Sequence, residues 1–293
     1  MASARLEVQV EGRSLSLSNL TKVMYPAVGF TKGEVIDYYA RVAPALLPHL
    51  RDRPLTLKRY PNGVEGGHFY EKNCPSHAPE WVRKERVDKI YYCVCDNLAT
   101  LVWLANLADL ELHPSLSLVD DINRPTVMAF DLDPGPPAGL AECCEVAFLL
   151  RDALGQLGLE SFAKTSGSKG IQVYVPLNVD GVDYDHGTKL LSQALARHLE
   201  AEHPKLIVSQ QKKELRRGKV LIDWSQNDEH KTTVSVYSLR ARERPTVSTP
   251  VRWSELEDPA GLAFEAPDVL ERVERHGDLF APVAELQQEL PSL

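Results

Sequence analysis

The stretch Val127-Met128-Ala129-Phe130-Asp131-Leu132-Asp133-Pro134 holds four apolar residues followed by two acids separated by one leucine. The apolar run predicts a buried strand, and alternate residues of a strand share a face, so Asp131 and Asp133 project the same way. Two carboxylates that close repel each other unless a cation lies between them or one is protonated. The sequence therefore predicts either a metal-binding acid pair at the end of a strand or two solvated acids before a turn.

A second apolar run, Lys219-Val220-Leu221-Ile222-Asp223-Trp224, also ends in an acid. If this strand joins the first one in a sheet, Asp223 adds a third carboxylate to Asp131 and Asp133. Three carboxylates can hold two divalent metal ions, and a pair of such ions commonly catalyses phosphoryl transfer. Taken alone, Asp223 is equally well explained as a cap for the turn that follows.

The segment Lys164-Thr165-Ser166-Gly167-Ser168-Lys169-Gly170 lies between these two strands. Small hydroxyl residues and glycines let backbone N–H groups converge on an anion, and Lys169 adds a positive charge. The glycine spacing is not the Walker pattern, and a strand follows instead of a helix. Such a segment is often an ordinary hairpin loop, but beside strand-end acids it is a candidate cradle for a triphosphate.

Charge is distributed unevenly along the 293 residues. Residues 253–293 contain ten acids and two arginines, which accounts for the whole net charge of −8. The neutral remainder holds a basic loop, Lys212–Lys219, and a second basic group at Arg240, Arg242 and Arg244. Basic segments near carboxylates fit a phosphate-backbone partner, although a charge run can also be a solvated face.

The lack of a recognisable targeting signal and the pattern of cysteines lead us to expect a cytoplasmic protein. No stretch approaches the length of a membrane span, and the N-terminus lacks an apolar signal core. Five cysteines, two of them adjacent, suit a reducing compartment better than a disulfide framework. Four residues are candidate ligands for a structural zinc ion: Cys74, His77, Cys93 and Cys95. Only one residue separates Cys93 from Cys95, which is less than structural zinc sites usually have. We therefore expect the cysteines to be buried in the core instead.

Strands interleave with helices in both halves of the chain, which predicts an α+β fold (α/β, two-lobed) with two sheets flanked by helices and a cleft between them. We expect a single domain with an N-terminal lobe over residues 1–125, a catalytic core over 126–250 and an acidic helical tail over 251–293. Apolar spacing predicts a helix over Asn97–Leu110 and a strand over Thr232–Val236.

Four motifs in order resemble the polymerase domain of bacterial ligase D, a member of the archaeo-eukaryotic primase superfamily. They are Phe130-Asp131-Leu132-Asp133-Pro134, Thr165–Gly170, Asp223-Trp224-Ser225-Gln226-Asn227 and Tyr237-Ser238-Leu239-Arg240. The resemblance extends over essentially the whole chain. It implies a primase-like fold and a template-directed DNA or RNA polymerase that fills short gaps at double-strand breaks in non-homologous end joining. It also implies nucleoside triphosphate substrates, with ribonucleotides preferred, and two Mn²⁺ or Mg²⁺ ions.

The resemblance implies roles for the residues of this sequence that match the family's functional positions. Asp131, Asp133 and Asp223 match the catalytic metal ligands. The positions that match nucleotide contacts are Ser166, Ser168, Lys169, Gly170, Gln172, His113 and Arg240. Those that match contacts to the DNA 5′-phosphate are Asn19, Lys22 and Lys32, and those that match template or DNA-end contacts are Phe69, Tyr70, Arg216 and Arg217.

One position departs from the family pattern. Where the family commonly has histidine, this chain has Gln172. Glutamine can donate a hydrogen bond to a phosphate, but it carries no positive charge and delivers no proton.

The implied partners are DNA ends or a gapped duplex with a 5′-phosphate, a separate or fused ATP-dependent DNA ligase, and a Ku-type end-binding protein, all at the nucleoid and none in a membrane. Three alternatives stay open. A catalytically weak end-binding and synapsis module would keep the lysines and the basic loop. Phe130–Asp133 also resembles the opening motif of haloacid-dehalogenase-like phosphatases, and an acid pair also suits a sugar-nucleotide transferase.

Overall fold

The computed structural model describes residues 5–291, which fold into two compact units. The first unit contains the chain up to Pro114 together with Val234–Ser248 and Phe264–Asp278. The second unit contains Ser115–Thr233, Thr249–Ala263 and the chain from Leu279 onward. Each unit is therefore assembled from segments that are distant in the sequence. The lobe limits expected near residues 125 and 250 stay predictions.

The first unit contains nine strands and three helices among its described residues. They are β1 (Arg5–Val10), β2 (Arg13–Ser18), β3 (Val23–Tyr25), β4 (Phe30–Thr31), α1 (Lys32–Leu50), β5 (Leu55–Arg59), β6 (Phe69–Glu71), β7 (Lys84–Val87), β8 (Ile90–Cys93), α2 (Leu98–Asn106), β9 (Asp109–Pro114) and α5 (Ala266–His276). Strands β6, β5, β8 and β7 lie side by side in that order, and β9 pairs with β5 to complete a five-stranded sheet. Strands β1 and β2 form a hairpin.

Helix α1 begins at a capping box. Thr31 accepts a hydrogen bond from the backbone N–H of Glu34, and the Glu34 carboxylate accepts one from the Thr31 backbone, so two otherwise unpaired N–H groups are satisfied. Tyr38 and Tyr39 are fully buried on its inner face. The Tyr39 hydroxyl donates to the Leu110 carbonyl at 2.8 Å, which ties α1 to β9.

Helix α2 is shorter than predicted and ends at Asn106. Ala108 has a left-handed φ of +59°, which stops the helix, and β9 begins at Asp109. The expectation of a helix through Leu110 was therefore wrong, because the apolar residues of β9 continue the apolar pattern of the helix.

The cysteines do not all follow the prediction. Cys74 and Cys93 form a disulfide bond that joins the segment after β6 to the end of β8. The expectation that every cysteine is a reduced core residue was therefore wrong for this pair, which also uses two of the four candidate zinc ligands. Cys95, Cys143 and Cys144 are free and buried, as predicted.

The second unit contains strands β10 (Ser117–Leu118), β11 (Asp121–Pro125), β12 (Val127–Pro134), β13 (Phe162–Thr165), β14 (Ile171–Pro176), β15 (Ile207–Val208), β16 (Val220–Asp223) and β17 (Pro250–Val251). Its helices are α3 (Leu140–Gln156), α4 (Lys189–Glu202) and α6 (Ala281–Glu285), and a π-helical turn, Tyr184–Thr188, precedes α4. Six strands form one sheet in the order β15-β16-β12-β14-β13-β17.

Strand β12 lies in the middle of this sheet, antiparallel to β14 on one side and to β16 on the other. Its apolar residues, from Val127 to Phe130, are buried, and Leu132 is fully buried between the two acids. The alternation predicted from the sequence is therefore present, and it leaves Asp131 and Asp133 on the more open face of the strand.

The predicted strand over Thr232–Val236 does not form. Thr232 makes a single bridge to Ser115, and the Ser235 N–H donates to the Leu112 carbonyl at 2.9 Å. Val234 and Val236 are buried, so the alternating apolar pattern reflects packing of an irregular segment. Among residues 5–291, no helix is long and apolar enough to cross a membrane.

Candidate active site

Three carboxylates converge on one end of the six-stranded sheet. In the register between β12 and β16, Asp131 lies directly opposite Asp223. Asp133 follows two residues along β12 and projects from the same face as Asp131. Side chains directly opposite in an antiparallel pair have Cβ atoms about 4.5–5.5 Å apart. The structure therefore brings together the three acids that the sequence singled out.

The electrostatics of Asp131 reflect this crowding. Burial, the neighbouring charge of Asp133 and the charge of Asp223 together raise the pKa of Asp131 to about 6, against hydrogen bonding from Gln172 and the charge of Lys164. A carboxylate whose ionisation is disfavoured by two other carboxylates is suited to binding a cation, because the cation removes the repulsion.

Asp133 has two basic neighbours. Lys169 Nζ lies 3.3 Å from Asp133 Oδ1, and Arg216 Nη1 lies 3.6 Å from Asp133 Oδ2. The backbone holds this arrangement, because the Gly135 N–H donates to the Lys219 carbonyl at 2.8 Å. A Cβ at Gly135 would lie 2.0 Å from the Arg216 carbonyl oxygen, so only glycine permits this close approach.

The basic loop that precedes β16 therefore presents its two arginines differently. Arg216 is half-buried and also donates to the carbonyl of Gln211 at 2.6 Å, whereas Arg217 is exposed. Of the two predicted DNA-end contacts, the structure places Arg216 beside Asp133 and Arg217 on the surface.

Asp223 is oriented by the turn that follows β16. Its Oδ1 accepts hydrogen bonds from the backbone N–H of Ser225 at 2.9 Å and from the Ser225 hydroxyl at 2.7 Å. Its Oδ2 accepts one from the Gln226 amide at 3.0 Å. Asp223 thus caps the turn, as one interpretation predicted, and it also lies opposite Asp131; its role as a metal ligand stays a prediction.

The Ser-Gly loop, residues 166–170, connects β13 to β14 and is held in a tight turn by its own hydrogen bonds. The Ser166 N–H donates to the Gly170 carbonyl at 2.9 Å, and the Ser166 hydroxyl accepts from the N–H groups of Ser168 and Gly170 at 3.3 and 3.1 Å. Gly167 has a left-handed φ of +66°. Ser168 and Lys169 are exposed at the tip, where a phosphate could reach them.

Gln172 is buried in a polar network beside Asp131. Its Oε1 accepts from the buried Lys164 ammonium, and its Nε2 donates to the Thr233 hydroxyl at 3.2 Å. It lies opposite Asp131 in the register between β12 and β14. The side chain that replaces the family histidine is therefore already engaged by neighbours.

The donor set fits a hard divalent cation, because carboxylate oxygens are the ligands that Mg²⁺ and Mn²⁺ prefer. Across residues 5–291, no group of three or more His, Cys, Asp or Glu side chains is arranged to hold a metal ion as it stands. Instead, Asp133 contacts Lys169 and Arg216, and Asp223 contacts its own turn. Metal binding at the three acids accordingly remains a proposal.

Two of the predicted 5′-phosphate ligands form a cationic pair in the first unit. The backbone N–H of Lys32 donates to the Lys22 carbonyl at 2.8 Å, so the two residues are neighbours across β3 and β4. Lys32 Nζ donates to the Ser18 carbonyl at 2.7 Å, and Lys22 Nζ donates to the Pro61 carbonyl at 2.6 Å. Burial and the charge of Lys22 lower the pKa of Lys32 to about 8.

Asn19, the third predicted ligand, is exposed and adopts a left-handed φ of +56°. Its carbonyl accepts from the Lys22 N–H at 2.9 Å, so it belongs to the same turn. The three residues predicted to bind a 5′-phosphate are thus held together by backbone hydrogen bonds.

The predicted template-stacking pair lies on β6 with both rings exposed, Phe69 to 43% and Tyr70 to 59%. The Arg59 guanidinium lies 5.1 Å from the Phe69 ring centroid, and Lys58 Nζ lies 5.5 Å from that of Tyr70. The Tyr70 ring also contacts the His113 ring edge to face at 6.1 Å. Exposed rings beside cations are suited to stacking on nucleic-acid bases.

His113 and Arg240 meet at a buried carboxylate. Glu111 Oε2 lies 3.1 Å from His113 Nε2, 3.0 Å from Lys58 Nζ and 3.4 Å from Arg240 Nε. The structure therefore brings two predicted nucleotide contacts together in the first unit.

Sequence reasoning missed Lys58 and Glu111, and it gave Lys164, the first residue of the candidate cradle, no role of its own. The alternation Asp109-Leu110-Glu111-Leu112-His113 could have revealed Glu111, because it places the acid and the histidine on one face of a strand. The helix predicted through Leu110 concealed that pattern. Nothing in the local sequence distinguishes Lys58 or Lys164 from other strand residues.

Comparison with known proteins shows the family of this chain. The family model of the LigD primase-polymerase domain matches residues 31–280. The multifunctional non-homologous end joining protein LigD of Mycolicibacterium smegmatis is 41% identical over 273 residues, which are 91% of this chain and 36% of that protein. The bifunctional LigD of Bacillus subtilis is 31% identical over 264 residues, covering 90% of this chain and 43% of that protein.

A solved structure is also similar. The polymerase domain of Mycobacterium tuberculosis ligase D in complex with DNA superimposes with a TM-score of 0.86 at 40% identity, over 94% of this chain and 99% of that one. This match confirms the predicted α+β, primase-like fold.

Fold and family together define a DNA-directed polymerase of the primase-polymerase class, a nucleotidyltransferase. The chain belongs to the LigD primase-polymerase domain family. It spans less than half of the two LigD proteins compared above.

Proposed function

We propose that this chain fills short gaps at DNA double-strand breaks during non-homologous end joining, by templated addition of nucleotides to a primer 3′-hydroxyl. The proposal includes a preference for ribonucleotides and the use of two Mn²⁺ or Mg²⁺ ions. One observation carries the proposal. Asp131 and Asp223 lie opposite each other on paired strands, and Asp133 projects from the same face of the sheet. The Ser-Gly loop, which precedes the neighbouring strand β14, brings Lys169 into contact with Asp133.

Asp131, Asp133 and Asp223 would hold the metal ions. Bound there, the ions supply the positive charge that lowers the pKa of the primer hydroxyl and offsets the charge of the triphosphate. The raised pKa of Asp131 supports this assignment, because two neighbouring carboxylates without a cation between them are costly.

The protein side chains would mainly bind and orient the reactants. The exposed Ser168 and Lys169 at the tip of the loop would bind phosphate oxygens, Lys169 as a point charge. Lys164 and Gln172 would hold the Asp131 carboxylate in place from the two neighbouring strands. In the first unit, Tyr70 and Phe69 would stack on bases, while His113 and Arg240 would contact the incoming nucleotide.

The cationic pair of Lys22 and Lys32 would bind the 5′-phosphate on the far side of the gap. Lys32 is 5% exposed and its charge is disfavoured by burial and by Lys22, so a phosphate dianion would restore its full protonation. The proposal also places the protein in the cytoplasm, at DNA ends in the nucleoid, together with an ATP-dependent ligase and a Ku-type protein. This part of the proposal rests on the end-joining names of the relatives.

Primer extension on a duplex with a one-nucleotide gap tests the function. We expect Mn²⁺-dependent addition of the nucleotide complementary to the template, faster with ribonucleotides and faster when the gap carries a 5′-phosphate. Asp131→Asn should abolish addition, whereas Asp152→Asn, an exposed acid on α3, should not.

The main rival is a DNA-end-binding module without catalysis. Tight binding that depends on the 5′-phosphate, with no addition under any metal or nucleotide, would favour that rival and reject the polymerase. Addition that ignores the template would reject gap filling but retain nucleotidyl transfer.

A further inference from the structure

The first unit contains an open cavity of about 530 Å³ with three walls. Strand β2, the C-terminal end of α2 and the segment that precedes β7 each form one of these walls. Asn106, at the end of α2, holds the first two walls together, because it accepts from the Ser18 N–H and donates to the Ser16 carbonyl, both at 3.1 Å. A cavity of this volume is within the usual range of small-ligand sites. The function proposed above gives it no role.

Two tryptophans, Trp81 and Trp103, line this cavity with indole N–H groups that lack an acceptor. Indole N–H groups usually find an acceptor when they are buried, and the other two tryptophans, Trp224 and Trp253, donate to backbone carbonyls at 3.0 and 2.9 Å. Trp103 is only 7% exposed, yet within residues 5–291 neither its N–H nor that of Trp81 has an acceptor. Neither nitrogen is sealed from solvent, so both can donate to a ligand in the cavity.

The lining combines aromatic rings with positive charge. The His77 ring contacts the Trp103 ring edge to face, with centroids 6.4 Å apart, and Arg13 Cζ lies 5.5 Å from the Trp81 ring centroid. The exposed Arg5 also lines the cavity, and none of the described residues that line it is acidic. Flat rings, free N–H donors and positive charge suit a planar, anionic ligand that offers hydrogen-bond acceptors. A nucleotide has all of these properties.

Ser18 connects the cavity to the lysines proposed to bind a 5′-phosphate. It lines the cavity, and its carbonyl accepts from Lys32 Nζ at 2.7 Å. The backbone N–H of Lys32 in turn donates to the Lys22 carbonyl at 2.8 Å. In a nucleotide, a single sugar joins the 5′-phosphate to the base. A nucleotide whose phosphate is bound by the two lysines therefore has its base within reach of the cavity.

We propose that the cavity binds the base of the DNA nucleotide that carries the 5′-phosphate, when that base is unpaired. The inference rests on the proposed function, because it takes the position of the 5′-phosphate from it. Stacking of one base on an aromatic side chain strengthens binding by about 5- to 150-fold. Drawing a paired base out of a duplex costs a comparable factor. The cavity therefore favours DNA ends whose 5′-terminal base is already frayed or mismatched.

The test measures equilibrium binding of two duplexes that differ only opposite the 5′-terminal base. Both contain a one-nucleotide gap, a 5′-phosphate on its far side and 2-aminopurine as the first base after that phosphate. The template places thymine opposite this base in one duplex and an abasic site in the other, which leaves the base unpaired. Fluorescence anisotropy without metal or free nucleotide gives both dissociation constants, and 2-aminopurine emission reports stacking. We expect wild type to bind the unpaired duplex at least about 5-fold more tightly, with quenched emission.

Two variants assign this preference to the cavity. Trp81→Leu removes a ring and should reduce the preference for the unpaired duplex to less than about 2-fold. Trp103→Phe keeps a ring but removes the N–H, and it should lower the preference by about 3-fold with little change for the paired duplex. Trp253→Phe is the matched control, because it makes the same change in the second unit and should keep the wild-type preference. Equal binding of both duplexes by wild type, or an unchanged preference in both cavity variants, would overturn the proposal.

A third variant keeps the proposal testable if Trp103→Phe does not fold. Ser16 is exposed on β2 and lines the cavity, so Ser16→Tyr fills the cavity without removing a core side chain. This variant should lose the preference, and a full preference would contradict the proposal.

The same duplexes with a 5′-hydroxyl separate this proposal from the proposed function. If the 5′-phosphate strengthens binding of neither duplex, the phosphate site of the proposed function fails, whereas the preference for an unpaired base still measures the cavity. Because binding is measured without metal or nucleotide, failure of templated addition would reject the polymerase and leave this result unaffected.

Discussion

At the scale of single residues, Asp131 links stability to function. Its carboxyl pKa is raised to about 6 by burial and by Asp133, so the ionised form is disfavoured in the fold. Stabilisation from the neutral form is fully present below about pH 4 and is lost as pH rises through 6. At neutral pH the metal-free protein therefore carries a charge that a cation would neutralise.

Asp131→Asn should raise the stability of the metal-free protein by about 1–3 kcal/mol at pH 7.5 and have little effect at pH 4. The same change should abolish stabilisation by Mn²⁺. Thermal unfolding at both pH values, with and without Mn²⁺, measures both effects. Equal Mn²⁺ stabilisation of wild type and variant would show that Asp131 does not bind the ion.

Lys32 makes a second prediction at this scale. Because its pKa is lowered to about 8 by burial and by Lys22, it is charged at pH 7 and loses its proton as pH rises beyond 8. The affinity advantage of a 5′-phosphorylated gap over a 5′-hydroxyl gap should shrink from pH 7 to pH 9. Fluorescence anisotropy with both duplexes measures this advantage.

Lys32→Ala should lower the same advantage by about 10- to 100-fold at pH 7, as expected for a charge-assisted hydrogen bond. Lys89→Ala, at an exposed position of the same unit, should leave it unchanged. If Lys32→Ala still bound the 5′-phosphorylated gap more tightly than the 5′-hydroxyl gap, by the wild-type factor, Lys32 would not be part of the phosphate site.

At the scale of elements, the strands and loops that carry chemistry were predictable where a short local pattern decides the structure. The apolar run of β12 and the acid at the end of β16 both formed as predicted. Strand β9 was not predicted, because its apolar residues continue the pattern of α2 and only the left-handed Ala108 separates them.

Gly170 determines how closely β14 approaches β12. A Cβ at this position would lie 2.1 Å from the Leu132 carbonyl oxygen, a contact that backbone must shift to relieve. Gly170→Ala should destabilise the fold by about 1–3 kcal/mol and reduce nucleotide addition, because the acids of β12 move with Leu132. Urea unfolding and primer extension measure the two effects.

Gly155→Ala is the matched control, since Gly155 lies in α3 with no atom within 4 Å of a Cβ there. It should stabilise the protein by about 0.5–1 kcal/mol. Gly170→Ala with wild-type stability and activity would show that β12 and β14 are not held at this distance.

The disulfide between Cys74 and Cys93 closes a loop with a sequence separation of 19. Cross-linking a loop of that length lowers the entropy of the unfolded chain by an amount worth about 3 kcal/mol. Cys74→Ser should lower stability by that amount in oxidising buffer and by much less in dithiothreitol. Equal effects in both buffers would mean that the bond does not form.

At the scale of the whole molecule, the sequence could not show how distant segments combine. Residues 234–248 and 264–278 return to the first unit, which is how Arg240 reaches Glu111. The meeting of Asp131 with Asp223 depends on β16 pairing with β12, a choice that the apolar pattern of either strand does not specify. Motif resemblance, and not periodicity, joined these residues at the sequence level.

Single-turnover nucleotide addition by Asp223→Asn on a gapped, 5′-phosphorylated duplex tests the central claim most directly, because this acid comes from a different strand than the other two. Addition should fall by at least about 100-fold, while binding of the duplex stays within twofold of wild type. Addition at the wild-type rate would contradict the account, because the three carboxylates would then not act as one site.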